Sequence, residues 1–238
     1  MKTVLITGGS RGIGAETVRR FAKNGYRVAF VYRQSVEAAE KLARETGALP
    51  ICADVSCEAD VRRAVAEARE ALGEIDVLIN NAAVSAFSLF TDITTEEWNR
   101  LISVNLNGVF YFCREILPEM IACKSGRIIN ISSMWGQVGA SCEVHYSTAK
   151  AAVIGLTRAL AKEVGPSGVT VNCIAPGVID TDMNASLDVE ARAALCEETP
   201  LCRIGKPADV AACALFLAGE GGDFITGQVI GVNGGFVI

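Results

Sequence analysis

Short apolar runs rich in valine and isoleucine alternate with longer amphipathic segments from one end of the chain to the other. Alternation of this kind predicts βαβ units and a parallel sheet. The runs place strands at residues 3–7, 27–32, 49–53, 77–80, 126–131, 170–175 and 229–232. Helical periodicity falls between them, for instance at 15–23, 36–46, 59–72, 103–121, 147–164 and 207–218. The strands are almost continuously apolar rather than alternating, so helices are expected on both faces of a doubly wound α/β sheet of about seven strands. Neither an internal repeat nor a Pro/Ser-rich linker interrupts the pattern, which predicts one domain over residues 1–238. The polar stretch 180–200 follows the sixth strand and would lie beyond the carboxyl ends of the strands, where it is expected to act as a lid over a substrate.

Composition narrows the classes. Half of the 238 residues are hydrophobic, enough for a sizeable core. A net charge of -5 and a pI near 5.1 argue against a broad nucleic-acid or anionic-membrane footprint, which needs a basic face. Nine cysteines, at 52, 57, 113, 123, 142, 173, 196, 202 and 213, include no C-x-x-C pair, and one histidine accompanies them. They read as buried free thiols in a reducing compartment, with no metal site. The amino-terminal run enters a glycine loop directly, without the apolar region and cleavage site of a secretory signal, and no stretch is long and apolar enough to span a bilayer. A cytoplasmic protein is expected.

Chemistry concentrates in a few motifs. Thr7-Gly8-Gly9-Ser10-Arg11-Gly12-Ile13-Gly14 follows the first strand and opens the first helix. Glycines there permit a tight turn and close approach of backbone to a pyrophosphate, and the helix start supplies free amides. The spacing T-G-x-x-x-G-x-G resembles the glycine loop of the short-chain dehydrogenase/reductase family, and the remaining motifs match that family in order over essentially the whole chain. Asp54, followed by Val55, matches its adenine-binding acid; Asn80-Asn81-Ala82-Ala83 matches its N-N-A-G strand end, with alanine for the last glycine. Asn105, Ser133, Tyr146 and Lys150 match its catalytic set, Ser133 standing 13 residues before Tyr146. Pro176-Gly177-Val178-Ile179, with Thr181, matches the nicotinamide turn, and Ile225-Thr226-Gly227-Gln228 a carboxyl-terminal segment.

The resemblance implies a Rossmann-type fold, a nicotinamide cofactor held by these residues, and a hydride exchanged with a carbonyl. Tyr146 would give its proton to the carbonyl oxygen in reduction. Lys150, four residues on and so on the same helix face, would lower the phenol's pKa and hold the nicotinamide ribose. Ser133 would bind the reacting oxygen, and Asn105 would hold a water in a relay to Lys150. His145, one position back, is rotated away by roughly 100° and is expected to pack or touch the substrate loop. Cys142 in that loop is expected to pack as well.

Tyr32 stands where NAD-selective members carry Asp, and Arg33 and Arg11 are placed to clamp a 2'-phosphate, so NADP(H) is the expected cofactor. For the substrate, the motif set looks most like the bacterial 3-oxoacyl-(acyl-carrier-protein) reductases, whose acidic carrier docks on basic residues at the pocket rim; Lys124 and Arg127 are the candidates. The stretch from Trp135 to Val144 and the ending Asn233 to Ile238 look similar to the elongation factor P 5-aminopentanone reductases, with Glu143 placed to attract an amine. The fold alone would also permit a non-catalytic, cofactor-sensing protein. Family members are usually homotetramers; small residues Ala149, Ala152 and Gly155 and the apolar Phe236-Val237-Ile238 end are compatible with subunit packing.

Overall fold

The computed structural model describes residues 1–185 and 187–238; Ser186, inside the expected lid, lies outside the described residues. The first half of the chain runs β1 (Thr3–Thr7), α1 (Gly12–Lys23), β2 (Arg27–Tyr32), α2 (Val36–Thr46), β3 (Leu49–Cys52), α3 (Glu58–Leu72), β4 (Val77–Asn80), α4 (Thr95–Ile102) and α5 (Gly108–Cys123). The second half runs β5 (Gly126–Ile131), α6 (Trp135–Val138), α7 (Val144–Val164), β6 (Val169–Pro176), α8 (Val189–Glu198), α9 (Pro207–Ala218) and β7 (Val229–Val232).

The strands form one parallel sheet in the order β3-β2-β1-β4-β5-β6-β7. The chain therefore winds outward from β1 to β3, then crosses back to lay β4 on the other side of β1. That reversal opens a crevice at the carboxyl ends of β1 and β4. Successive side chains of a strand point to opposite faces. Leu5, Leu78 and Ile128 thus pack beneath α3, α5 and α7, while Val4, Ile6, Ile79 and Ile129 pack beneath α1, α2 and α9. Each such side chain contributes roughly 1.5–3 kcal/mol by leaving water.

One polar thread crosses the first of these cores. Asn80 Nδ2 donates to Asn130 Oδ1 (2.9 Å), Asn130 Nδ2 to Thr157 Oγ1 (2.9 Å), and Thr157 Oγ1 to the Val153 carbonyl (2.8 Å). It ties β4 and β5 to α7, the helix that carries Tyr146 and Lys150.

The helix expected at 103–121 is differently built. A separate α4 precedes it, opened by Thr94, whose side chain accepts from the Glu97 amide at 3.1 Å. Residues Ser103–Asn107 then form a π-helical turn, and α5 begins only at Gly108. A single π turn widens a helix locally and re-aims its side chains. Strand β3 ends at Cys52 rather than residue 53, although the Ala53 amide still bonds the Tyr32 carbonyl at 2.9 Å.

The expectation of buried thiols holds for part of the set. All nine cysteines are free, but Cys52, Cys57, Cys123 and Cys202 are exposed. They occupy a sheet-edge strand, two helix boundaries and a left-handed turn residue (Cys202, φ +50°), places that face solvent whatever the side chain. Burial pushes the Cys113 thiol up to about 12 and Cys173 to about 11, so these stay protonated and inert. Among the described residues no His/Cys/Asp/Glu group is arranged to hold a metal, and no helix is long and apolar enough to cross a membrane.

Candidate active site

A cleft of about 730 Å³ lies along the carboxyl ends of the strands. Ser133, Tyr146 and Lys150 line it, as do Gly8, Ser10, Arg11, Gly12, Ile13 and Gly14 of the glycine loop, Arg33, Asp54, Val55, Asn81, Ala82, Pro176, Gly177, Ile179 and Thr181; Asn105, Asn80 and residues 225–228 do not. Ser85, Arg100, Met183 and Asn184 line it too and were not picked out. Arg100 belongs to α4, which the hydrophobic pattern missed; the Thr94-x-x-Glu97 capping signal would have revealed that helix.

The glycine loop forms one wall. Gly8 and Gly12 have φ of +65° and +55°, which a side chain resists. A methyl on Gly14 would overlap the Gly8 carbonyl oxygen, and one on Gly8 would come within 2.8 Å of Ala82 Cα. Asn81 fixes the loop from across the crevice: its Nδ2 donates to the Thr7 and Gly8 carbonyls (3.0 and 3.1 Å), while Thr7 Oγ1 accepts from the Asn81 and Ala82 amides (3.0 Å each). The first turn of α1 contains no acidic side chain, and its N-cap Arg11 makes no side-chain cap bond, so amides and positive helix end face the cleft unopposed. This cradle fits a pyrophosphate. Gly14→Ala is expected to weaken cofactor binding about 10- to 100-fold, the equivalent of about 1–3 kcal/mol of overpacking strain; a fluorescence titration with unchanged affinity would contradict the cradle.

At the adenosine end, Arg33 Nε lies 3.0 Å from Asp54 Oδ2, and Asp54 Oδ1 accepts from the Ser56 amide (2.9 Å) and hydroxyl (2.6 Å). Arg33 is thus an ion-paired, half-exposed guanidinium at the cleft edge, with Tyr32 beside it.

The second wall carries the acid–base groups. Ser132 and Ser133 continue β5. Ser132 Oγ donates to the Lys150 carbonyl at 2.8 Å, turning that hydroxyl toward α7's backbone. Ser133 Oγ accepts from the Trp135 amide at 3.1 Å, and a hydrogen bond between this hydroxyl and the Tyr146 phenol pulls the phenol's pKa down. Burial and the Glu143 carboxylate outweigh it, and Tyr146 is pushed up to about 12. Lys150, also buried, is pulled down to about 8; its Nζ donates to the Ile131 carbonyl at 2.8 Å and sits 5.7 Å from the Tyr146 ring centre. The expectation that Lys150 holds the phenol low is therefore not met: desolvation dominates both groups, and the ammonium spends a bond on backbone.

Asn105 does not line the cleft. Wholly buried in the π turn, it accepts from the Val84 amide (2.8 Å) and donates to the Val84 carbonyl (2.8 Å). Both polar ends of its side chain thus pin the loop that leaves β4. Lys124 and Arg127 are misplaced as rim residues. They flank the start of β5, at the amino end of the sheet, and Arg127 pairs with Asp223 at 2.6 Å.

Comparison with known proteins agrees with this geometry. A family model described as enoyl-(acyl carrier protein) reductase matches residues 8–237. The 3-oxoacyl-[acyl-carrier-protein] reductase of Chlamydia trachomatis is 41% identical over 98% of this chain and 96% of its own length, and that of Staphylococcus aureus 39% over 98% and 97%. Among solved structures, a short-chain dehydrogenase/reductase mutant of Serratia marcescens superposes with a TM-score of 0.92 at 34% identity, over 99% of this chain and 97% of that one. A blue fluorescent protein from a metagenomic library, solved in complex with NADPH, gives 0.93 at 35% identity, over 100% and 98%. Full-length likeness in sequence and in fold, on a cleft with a glycine cradle beside a buried Ser-Tyr-Lys set, shows that this chain belongs to the short-chain dehydrogenase/reductase family, oxidoreductases that use a nicotinamide cofactor.

Proposed function

We propose that the protein is an NADP(H)-dependent carbonyl reductase acting on a 3-oxoacyl thioester carried by an acyl carrier protein. The observation that carries the reading is the convergence of Ser133, Tyr146 and Lys150 at one end of a cleft whose other end is the glycine cradle. The cofactor supplies a hydride to the carbonyl carbon when bound. Ser133 and Tyr146 hold the carbonyl oxygen, and Tyr146 delivers a proton to it as negative charge develops. A phenol near 12 is fully protonated at neutral pH, so the resting site is poised for reduction rather than for oxidation, which would begin by taking a proton. Lys150 would hold the ribose hydroxyls, and Asn105 ties the loop after β4 at Val84 to the π turn. Asp182–Asn184 line the cleft, and Arg192 Nη1 bonds Asp180 Oδ1 at 3.0 Å, tying α8 to that segment, which would serve as the lid of a single-domain enzyme.

The choice of NADP(H) rests on Arg33, Arg11 and the lack of an acidic side chain at Tyr32; the NADPH-bound neighbour is in keeping with it. A 2'-phosphate would compete with Asp54 for Arg33. Arg33→Ala is expected to cut the NADPH-over-NADH preference in kcat/KM about 10- to 100-fold, the worth of one charge-assisted pair; an unchanged ratio would leave the preference unexplained by Arg33.

A second reading, reduction of an aminopentanone on elongation factor P, is favoured by Glu143, a half-buried carboxylate lining the cleft beside Tyr146. Parallel assays of NADPH oxidation with an acetoacetyl thioester and with aminopentanone-modified factor separate the two. Turnover of the thioester alone supports the first, and selective reduction of the factor replaces it with the second. As the partner surface for assembly into a homotetramer, the exposed Phe110, Phe216 and Phe224 are better placed than Phe236, which packs edge-on against Trp135 within the chain (ring centres 5.8 Å apart).

A further inference from the structure

His145 takes no part in the machinery above. It is wholly buried, and neither ring nitrogen has a hydrogen-bond partner among the described residues. A buried, unsatisfied polar atom costs about 1–3 kcal/mol, so two on one ring call for a reason. Nε2 stops 3.5 Å from Glu97 Oε1 on α4, within reach of an ion pair but short of hydrogen-bond geometry. The same carboxylate faces Ser88 Oγ, 3.2 Å from Oε1. Ser88 in turn donates its amide to the Cys142 carbonyl at 2.9 Å, and Cys142 has a left-handed φ of +62° three residues before His145. Glu97, Ser88, Cys142 and His145 therefore make a circuit joining α4, the loop after β4 and the entry to α7. Three cleft-lining residues, Ser85, Arg100 and Glu143, hang from those same segments.

We propose that His145 is a positioning residue for the substrate end of the cleft: a proton on its ring closes the circuit onto Glu97, and loss of that proton loosens it. The inference rests on the carbonyl-reductase reading of the cleft. Nε2 is the nitrogen that faces Glu97: an imidazolium always carries a proton there and adds its charge to the contact, whereas a neutral ring carries one proton shared between two tautomers and no charge. The charged groups that act on the ring are Glu97 and Glu143. The other charged residues of α4, Glu96 and Arg100, are exposed; α6 and the π turn carry no titratable side chain; Cys173 of β6 faces Lys150 instead. Glu143 couples the circuit to the chemistry. Burial raises its pKa while His145 lowers it, and its carboxylate raises that of Tyr146.

Because the chain has a single histidine, its ring is one unambiguous NMR signal. In the full-length protein the titration midpoint of that signal is expected to fall by about one pH unit in Glu97→Gln, the effect of removing one adjacent carboxylate. A midpoint that does not move overturns the circuit, and this readout needs no turnover, so it stands apart from any failure of the reductase assignment. In ketone reduction, wild-type KM for the ketone is expected to rise about tenfold as pH is raised through the midpoint so measured, as one charge-assisted contact is lost. His145→Asn should show a flat KM with kcat unchanged, and Glu97→Gln should match it should the first variant fold poorly. A wild-type KM profile identical to that of the variants overturns the proposal.

Discussion

Tyr146→Phe is expected to lower kcat for ketone reduction by about 10²- to 10⁴-fold, the usual worth of a positioned proton donor. Cofactor affinity should change little, because the ring and its packing against Leu101 and Ala149 remain. The buried phenol makes the accompanying pH profile diagnostic. The rate should not respond to Tyr146 across the accessible range, since that group stays protonated up to about 12. It should respond to Lys150. In the cofactor-free protein Lys150 is charged below about 8 and neutral above it. The kcat/KM for the cofactor, which reports the free enzyme, should then be level below about pH 7.5 and fall roughly tenfold per unit above 8. Retained turnover in Tyr146→Phe, or an alkaline limb that persists unchanged in Lys150→Arg, would remove these roles.

Lys150→Met should move activity and stability in opposite directions. Losing the ribose-holding, charge-bearing group is expected to cost about 10²-fold or more in kcat/KM. The folded protein should nevertheless become more stable at neutral pH. The sign follows from the pKa: a base whose folded value, about 8, lies below its unfolded value of 10.5 is penalised by folding wherever it must be charged. That penalty is fully present below about 8 and vanishes as pH rises through 10.5; two to three pKa units correspond to about 3 kcal/mol. Methionine fills similar volume without the charge, but it leaves the Ile131 carbonyl without its 2.8 Å donor, which returns about 1–2 kcal/mol. A net gain of about 1–2 kcal/mol in urea unfolding at pH 7 is expected, turning to little change or a small loss at pH 10, where most of the penalty has gone and the missing hydrogen bond remains. A less stable variant at pH 7 would show that the buried ammonium is compensated by a partner other than Ile131. Holding an ion where it lowers stability is what an active site does when chemistry takes precedence over packing.

Much of the sheet could be read from hydrophobic runs, because a strand covered on both faces admits little besides Val, Ile and Leu. Strand β1 shows this: all five of its residues are buried, and its bounds match the apolar run. The glycine loop was equally plain, since its constraint is local and steric. What stayed hidden depends on partners far away in sequence. Asn105 turns its amide to Val84 rather than to the cleft because the π turn, a detail of backbone winding, re-aims it. Lys150 fails to lower the Tyr146 pKa because burial, which no four-residue spacing encodes, outweighs their proximity. Lys124 and Arg127 lie at the far end of the sheet because they stand at the start of β5, whereas the cleft follows its end. His145 was expected to pack, and the sequence offered no sign that Glu97, 48 residues earlier, would stand 3.5 Å from its ring.

The pairing of α1 with α9 sets a schedule for biosynthesis. Helix α1, which opens from the glycine loop, lies along α9, near the other end of the chain, and Tyr26 reaches Ala218 to close the contact. At about 5–20 residues per second, the ribosome makes α1 roughly 10–40 s before α9 is complete. Through that interval Val18 and Phe21 lack part of their cover, and the cofactor loop has no finished helix behind it. Firm cofactor binding at the glycine loop is thus expected to await synthesis of α9, and until then the uncovered face of α1 is open to aggregation or chaperone capture.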